Sequence, residues 1–292
     1  MTAADALPEP LCGIGDEAAH SLPDQVRIHS ELGLRGLELR TVDGRWIHEL
    51  DEPAMERAAA EIRASGLTVP VVDTPLGGWS TTIATPVEDE LAVLRVSAAR
   101  ALRLGCARLR CMSYPDDGRG DPEWEQEALR RMRLLAREAE QLGVTLLHEN
   151  CHGWASRSAE RTLRMLERVD SDRLRLLFDA GNGVWYGYEG PDFLRRVLPH
   201  VDHVHLKDAV RDAAGEVSAT APGAGRARLA ESLTELRAYG YRGWYSLEPH
   251  LVHMPHLAVT GDDAALEASY RDYVADLRTS WPHLTRQEVA GR

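Results

Sequence analysis

The chain has 292 residues, of which 43% are hydrophobic, enough to bury a sizeable core and to exclude intrinsic disorder. Its 34 Lys and Arg against 46 Asp and Glu leave a formal charge of -12, which repels phosphate backbones and anionic lipid surfaces, so neither nucleic acid nor membrane is an expected partner. The length nominally suggests two domains, but α/β barrels exceed that mark as one unit.

The opening MTAADALPEPL has neither a basic n-region nor an apolar h-region, and no apolar run reaches bilayer-spanning length. Cys12, Cys106, Cys111 and Cys151 lack the CxxC spacing of a zinc ribbon, and a disulfide framework is not expected in a chain this long. A reduced, cytoplasmic protein is expected, with homo-oligomerisation left open.

From the N-terminus onward, short β-type runs alternate with longer helical patterns. The predicted strands are residues 11–15, 36–40, 68–72, 107–112, 144–149, 174–179, 201–207 and 243–248, each followed by a helix. One helix, over 86–104, has acids in its first turn and arginines in its last. The next, over 122–142, carries Leu129, Met132, Leu135 and Ala136 on one stripe. Gly33, Gly66, Gly105, Gly143 and Gly240 sit where a left-handed residue closes a helix.

Eight βα units predict a parallel sheet closed into a single (β/α)8 TIM barrel over residues 1–292, with 1–10 and 282–292 as peripheral tails. A doubly wound open sheet is the alternative. Gly13-Ile-Gly15 lacks the third glycine of a dinucleotide fingerprint, which speaks against it.

In such a barrel the chemistry gathers at the C-terminal ends of the strands. Four predicted strands deliver an ionisable group there: Glu149, Asp179, the segment His203-Val-His-Leu-Lys207, and Glu248. Period-two alternation puts His203, His205 and Lys207 on the interior face and turns His148 away from Glu149. Enclosed carboxylates with no arginine nearby in sequence call for a cation, and Glu149, Asp179, His205 and Glu248 can together wrap one. Three carboxylates and an imidazole favour Mn²⁺, with Mg²⁺ or Co²⁺ as alternatives. The run His250, His253 and His256 has metal-compatible spacing but is left out of this set because it lies in a loop with Pro255.

These segments resemble the sugar phosphate isomerase/epimerase superfamily, the xylose isomerase-like TIM barrels that also contain endonuclease IV. The resemblance rests on GIGDEA (Gly13–Ala18), GLRGLELR (Gly33–Arg40), HENCHGW (His148–Trp154), FDAGN (Phe178–Asn182), HVHLKD (His203–Asp208), PGAGR (Pro222–Arg226) and SLEPH (Ser246–His250). It implies that Glu149, Asp179, His205 and Glu248 are metal ligands and that Glu149 and Glu248 also move protons. Two departures stand out: Asn182 occupies a position where family epimerases often carry histidine, and Arg226 lies in a segment that is commonly more acidic. The extra ligands of a trinuclear endonuclease site are missing at Val72-Asp73-Thr74, at Cys111-Met112 and over Val217–Thr220.

The expected activity is metal-dependent isomerisation or epimerisation of a sugar or polyol-like carbonyl compound, by proton abstraction α to the carbonyl through an enediolate. A lyase on the same site is the runner-up, and a non-catalytic carbohydrate-binding barrel the third reading. His152 and Lys207 are expected at substrate oxygens, Asn182 at a substrate hydroxyl, and Glu38 and Arg40 at distal hydroxyls. Trp154, Trp185 and Trp79 follow strands where their faces can stack on a sugar.

Overall fold

The structure, a computed structural model, describes residue 7 and residues 10–254 and 259–286. Seven strands form one parallel sheet: β1 (Leu11–Gly13), β2 (Val72–Asp73), β3 (Arg108–Ser113), β4 (Thr145–Gly153), β5 (Leu174–Asp179), β6 (Val201–Leu206) and β7 (Trp244–Leu247). Their order is β1-β7-β6-β5-β4-β3-β2. The sheet curls, so that the segment after β1 and the segment before β2 both approach residues 36–39.

The alternation predicts eight strands, and here the described residues differ. Residues 36–39 form only isolated parallel bridges, Ile14↔Glu38 on one side and Gly36↔Thr68 and Leu39↔Val72 on the other. Backbone bonds follow the same division: Glu38 N donates to Gly13 O at 2.8 Å, and Leu37 N to Thr68 O at 2.9 Å. Gly36 has no room for a side chain, because a Cβ would lie 2.8 Å from the Trp244 ring and 2.9 Å from Thr68 O. Short hairpins occupy the top of the sheet, including Thr41–Val42 with Arg45–Trp46, and Asp208–Arg211 with Val217–Thr220.

Helices cover the outside. They are α1 (Leu22–Glu31), α2 (Glu52–Ser65), α3 (Val87–Arg103), α4 (Asp121–Leu142), α5 (Ala159–Val169), α6 (Asn182–Tyr186), α7 (Gly190–Val197), α8 (Leu229–Tyr239) and α9 (Asp263–Leu284). The five glycines predicted to close helices have φ from 70° to 83°. Leu129, Met132, Leu135 and Ala136 on α4 are buried, as their stripe predicts. The expected C-terminal tail starts inside α9, where Leu284 and then Thr285 are buried. All four cysteines are free thiols, and among the described residues no helix is long and apolar enough to cross a membrane.

Apolar side chains pack in two large clusters, one around α2, α3 and α4 and one around α7, α8 and α9. A third, small cluster of Val71, Leu147 and Leu177 is wholly buried. By period-two alternation these three share a face with Asp73, Glu149 and Asp179, one step nearer the strand C-termini. A dry plug thus lies beneath a ring of carboxylates.

The rim of the sheet is shaped by one irregularity. β3 and β4 pair regularly from Arg108↔Thr145 to Cys111↔His148, and the pairing then jumps to Ser113↔Gly153. Glu149 keeps its register with Leu177 on the other side, and residues 150–152 are lifted as extra chain over the top of the sheet. Gly153 makes this possible: its φ is 113°, and a Cβ would sit 2.5 Å from the Ser113 carbonyl carbon. Gly153→Ala is expected to cost at least about 2 kcal/mol through its backbone conformation alone. Thermal denaturation should show a Tm lowered by several degrees.

Candidate active site

Glu149 and Asp179 end the regular parts of β4 and β5, His205 lies near the end of β6, and Glu248 follows β7. Register places His205 directly beside Asp179 on one side and Ser246 on the other. Asn150 clamps β4 to β5, accepting from Asp179 N at 2.6 Å and donating through Nδ2 to Asp179 O at 2.9 Å. Each of Glu149, Asp179, His205 and Glu248 brings one donor atom within 4.8 Å of the others, and all four are buried. The two glutamates line a cavity of about 330 Å³, together with Asn182 and Lys207, and Asp179 and His205 lie behind them.

His205 is held by Glu38. Its Nε2 lies 3.0 Å from Glu38 Oε1, and the other oxygen of Glu38 takes His203 Nε2 at 2.8 Å. This corrects one expectation: Glu38 is fully buried, does not line the cavity, and braces two histidines instead of meeting substrate. The brace leaves His205 Nδ1 facing Glu248 Oε2 at 3.3 Å and Asp179 Oδ2 at 3.8 Å. Burial raises the Glu38 carboxyl, but His205 and His203 overcome it and hold it well below the usual carboxylate range.

Lys207 is drawn in further than its sequence neighbours suggest. Its Nζ lies 2.7 Å from Glu248 Oε2 and 2.8 Å from Asp179 Oδ2, over the Trp185 ring at 5.5 Å. Asp208, next in the chain, accepts backbone N–H groups of Ala209, Gly223, Gly225 and Ala227. It thereby pins the PGAGR loop, whose Arg226 does not line the cavity.

Sequence spacing places no arginine beside these carboxylates, but two reach them in space. Arg110, from β3, donates to Glu149 Oε2 at 3.2 Å and lies 3.3 Å from Asp73. Arg40 binds Asp16 at 2.8 Å and Glu17 at 2.9 Å, with Glu248 3.6 Å away. Spacing along the chain conceals these pairs because curling the sheet brings distant strands together. The one signal for Arg110 was a charged residue between Leu109 and Cys111 inside a predicted strand.

The two glutamates sit in different fields. Burial raises Glu149, only partly offset by Arg110, whereas at Glu248 burial is overcome by Lys207, His250 and His205, which hold it well below the ordinary range. Burial raises Asp73 to about 8 against the pull of Arg110.

The residues present fit a divalent cation. Asp179 Oδ2 is buried and, although close to Lys207 Nζ, lacks an aligned hydrogen-bond donor. Its other oxygen accepts from Asn182 N at 2.8 Å. The glutamates and His205 Nδ1 complete an oxygen-rich set of the expected composition.

The other predicted residues separate into two groups. Asn182 donates to Glu149 Oε1 at 3.1 Å and lines the cavity, as do Arg40, Trp79 and Trp185. His152 does not line it; its ring stacks on Trp79 at 3.7 Å and 19°. Burial, then Arg157, lowers its pKa to about 4, so it is neutral. Trp154 is not at the substrate side either: it is only 1% exposed and packs in the core, because Gly153 turns the chain inward after the lifted residues. The sequence reading missed Trp46, Tyr186 and His250 as lining residues. His250 donates its N–H to Glu17 at 3.1 Å and approaches Glu248 at 3.8 Å. His253 meets His20 edge-on at 6.0 Å, and His256 lies outside the described residues.

The family model for xylose isomerase-like TIM barrels matches residues 26–271. Inosose dehydratase of Geobacillus kaustophilus (strain HTA426) is 28% identical over 144 residues, covering 44% of this chain and 46% of that protein. The chain thus spans about half the length of the curated relatives it matches. The structure is similar to that of 3-keto-D-glucoside 4-epimerase YcjR from E. coli, with a TM-score of 0.68 and 18% identity over 92% of this chain and 98% of that one. It is similar also to the IOLI protein with a bound zinc atom, with a TM-score of 0.74 and 14% identity over 93% and 99% of the two chains. At these identities the two structures share the fold.

His148, turned away from the cavity as alternation predicts, is buried with no hydrogen-bond partner at either ring nitrogen among the described residues. Burial lowers its pKa to about 3. Below pH 6.5 the unfolded chain takes up a proton that the folded chain refuses, so stability falls as pH drops toward 3. His148→Leu should match or exceed wild-type stability at pH 7, since no satisfied polar group is lost. Its Tm should fall less steeply between pH 6.5 and 4, and His29, lowered to about 4 by burial, keeps part of the slope. Melting curves across that range provide the check.

Proposed function

Because the chain belongs to the xylose isomerase-like TIM barrel family, we propose that it isomerises or epimerises a sugar or polyol-like carbonyl compound by divalent-metal-dependent proton transfer at the carbon next to the carbonyl. One observation carries this reading: four metal-type donors from four separate parts of the sheet converge in one buried cluster, and the two glutamates among them line the cavity, where they can exchange protons with a substrate. The same reading treats the chain as one barrel domain, with residues 36–39 as the eighth stave.

Glu149, Asp179, His205 and Glu248 would hold the cation, which when bound supplies Lewis-acid stabilisation of negative charge developing on substrate oxygens. The oxygen-rich donors favour Mn²⁺ over Mg²⁺ and Co²⁺; zinc, which the IOLI neighbour binds, is a fourth ion to load. Of Glu149 and Glu248, one takes the proton from carbon and the other returns one, and returning it to the opposite face or the adjacent carbon decides between epimer and isomer. Lys207 and Asn182 line the floor beside them and orient substrate oxygens. Arg110 adds a fixed positive charge next to Glu149.

A second reading, dehydration by β-elimination, is favoured by the inosose dehydratase relatives. It uses the same first step, with Lys207 protonating the departing hydroxyl. Product mass separates the two, since isomerisation conserves mass and dehydration loses water.

The test is solvent deuterium incorporation into ketoses, ketocyclitols and keto-glycosides by protein that has been chelated and reloaded with one ion at a time. Glu149→Gln and Glu248→Gln should each lower exchange by about 100-fold or more while the fold persists. Full exchange in both variants, or undiminished turnover by the chelated protein, would reject the proposal. Glu38→Gln should weaken metal binding by roughly 10–100-fold, because the brace that orients His205 is altered, and calorimetric titration of the apoprotein reads this directly.

A further inference from the structure

Beneath the carboxylates the interior of the sheet holds a second group of metal-type donors. Cys12, Glu38 and His203 each bring one donor atom within 4.8 Å of the others, and all three are buried. None of them lines the cavity. They come from β1, from residues 36–39 and from β6, which the curl of the sheet brings together. Cys12 faces inward, since a Cβ on Gly36 would lie 3.0 Å from Cys12 Cβ, and Glu38 follows Gly36 on the same face.

Cys12 differs from the other deeply buried thiols. Cys106 and Cys111 pack in a large apolar cluster, as small hydrophobic side chains do. Cys12 is fully buried yet belongs to none of the apolar clusters among the described residues. Its register partner is Ser246, which pairs with Cys12 on one side and with His205 on the other. Ser246 Oγ is buried and has no hydrogen-bond partner among the described residues. Burial and then the Glu38 charge raise the Cys12 thiol, while the Ser246 hydroxyl beside the sulfur lowers it. A thiol, an imidazole, a carboxylate and an orphaned hydroxyl thus meet outside the apolar packing, a mixed set suited to zinc. Tetrahedral zinc, with Zn–S of about 2.3 Å and Zn–N of about 2.0–2.1 Å, holds such donors about 3.6 Å apart, so these would draw together by no more than about 1.2 Å.

We infer that Cys12, Glu38 and His203, with Ser246 Oγ as the fourth donor, form a structural zinc site beneath the candidate catalytic cluster. The Cys12 thiol releases its proton to solvent, and the thiolate and the Glu38 carboxylate balance the two positive charges of the ion. His203 binds through Nε2 and carries its proton on Nδ1. Glu38 turns to the ion the oxygen that otherwise takes His203, and keeps the other on His205 Nε2. The lower ion is thereby tied through one carboxylate to the imidazole of the upper cluster, which fixes the orientation of that ring. Closed off from solvent, the ion enters as the chain folds and is released slowly. None of its donors lines the cavity, so the inference is independent of the proposed reaction.

The experiment is metal analysis and spectroscopy on the full chain carrying Cys151→Ser, which removes the thiol that lines the cavity. After chelation that empties the upper cluster, this protein should retain about one zinc per chain. X-ray absorption at the zinc edge should show one sulfur scatterer at about 2.3 Å. Produced with cobalt in place of zinc, it should show a thiolate-to-cobalt charge-transfer band. Adding Cys12→Ser should abolish that band, adding His203→Gln should abolish zinc retention, and adding Glu149→Gln in the upper cluster should leave both intact. Absence of a sulfur-bound ion while Cys12 is present, or a band that survives Cys12→Ser, overturns the assignment. The absorption measurement decides the matter even where Cys12→Ser fails to fold, because it needs no change at Cys12. A sulfur-bound zinc without deuterium exchange on any substrate sustains this inference and removes the proposed reaction; exchange without a sulfur-bound ion does the reverse.

Discussion

Glu149, Asp179 and Glu248 lie within a few ångströms of one another in an interior closed from below by Val71, Leu147 and Leu177. Carboxylates so placed are tolerated only when opposite charge and aligned donors compensate their lost hydration. Arg110 reaches Glu149, Lys207 reaches Asp179 and Glu248, and Arg40 stands near Glu248 while bound to Asp16 and Glu17. The interior is an ionic network whose parts come from every side of the curled sheet, and the positions of its members depend on that mutual compensation.

A second layer fixes the orientation of the first. Glu38 spends one oxygen on His203 and the other on His205, so the imidazole that faces the cavity has its far nitrogen engaged. Asn150 ties Glu149's strand to Asp179's, and Asn182 bonds to both carboxylates. These contacts limit the motion of donors that would otherwise repel one another, which is the preorganisation that metal binding and proton transfer both require.

Lifting residues 150–152 over the rim has a second consequence. It brings Cys151 to the cavity lining and sets His152 behind Trp79. Glu149 is placed by the strand itself, whose register with Leu177 is regular. Inosose dehydratases are among the chain's curated relatives, and a keto-glucoside epimerase shares its fold.

Much of this was legible in the sequence. The eightfold alternation of short apolar runs and amphipathic helices, the glycine helix stops and the family segments determined a parallel α/β fold, because periodicity and capping are local properties of the chain. The four donors were legible for a related reason: each is a polar residue at the end of an apolar strand, and period two assigns its face. What the sequence could not contain is distance between strands. The pairing of Arg110 with Glu149, the bracing of His205 by Glu38, the burial of Trp154 and the reduction of residues 36–39 to bridges were decided by the curling of the sheet and the lifting of one rim segment. Those interactions join residues tens to hundreds of positions apart, and only closure of the tertiary structure brings them together.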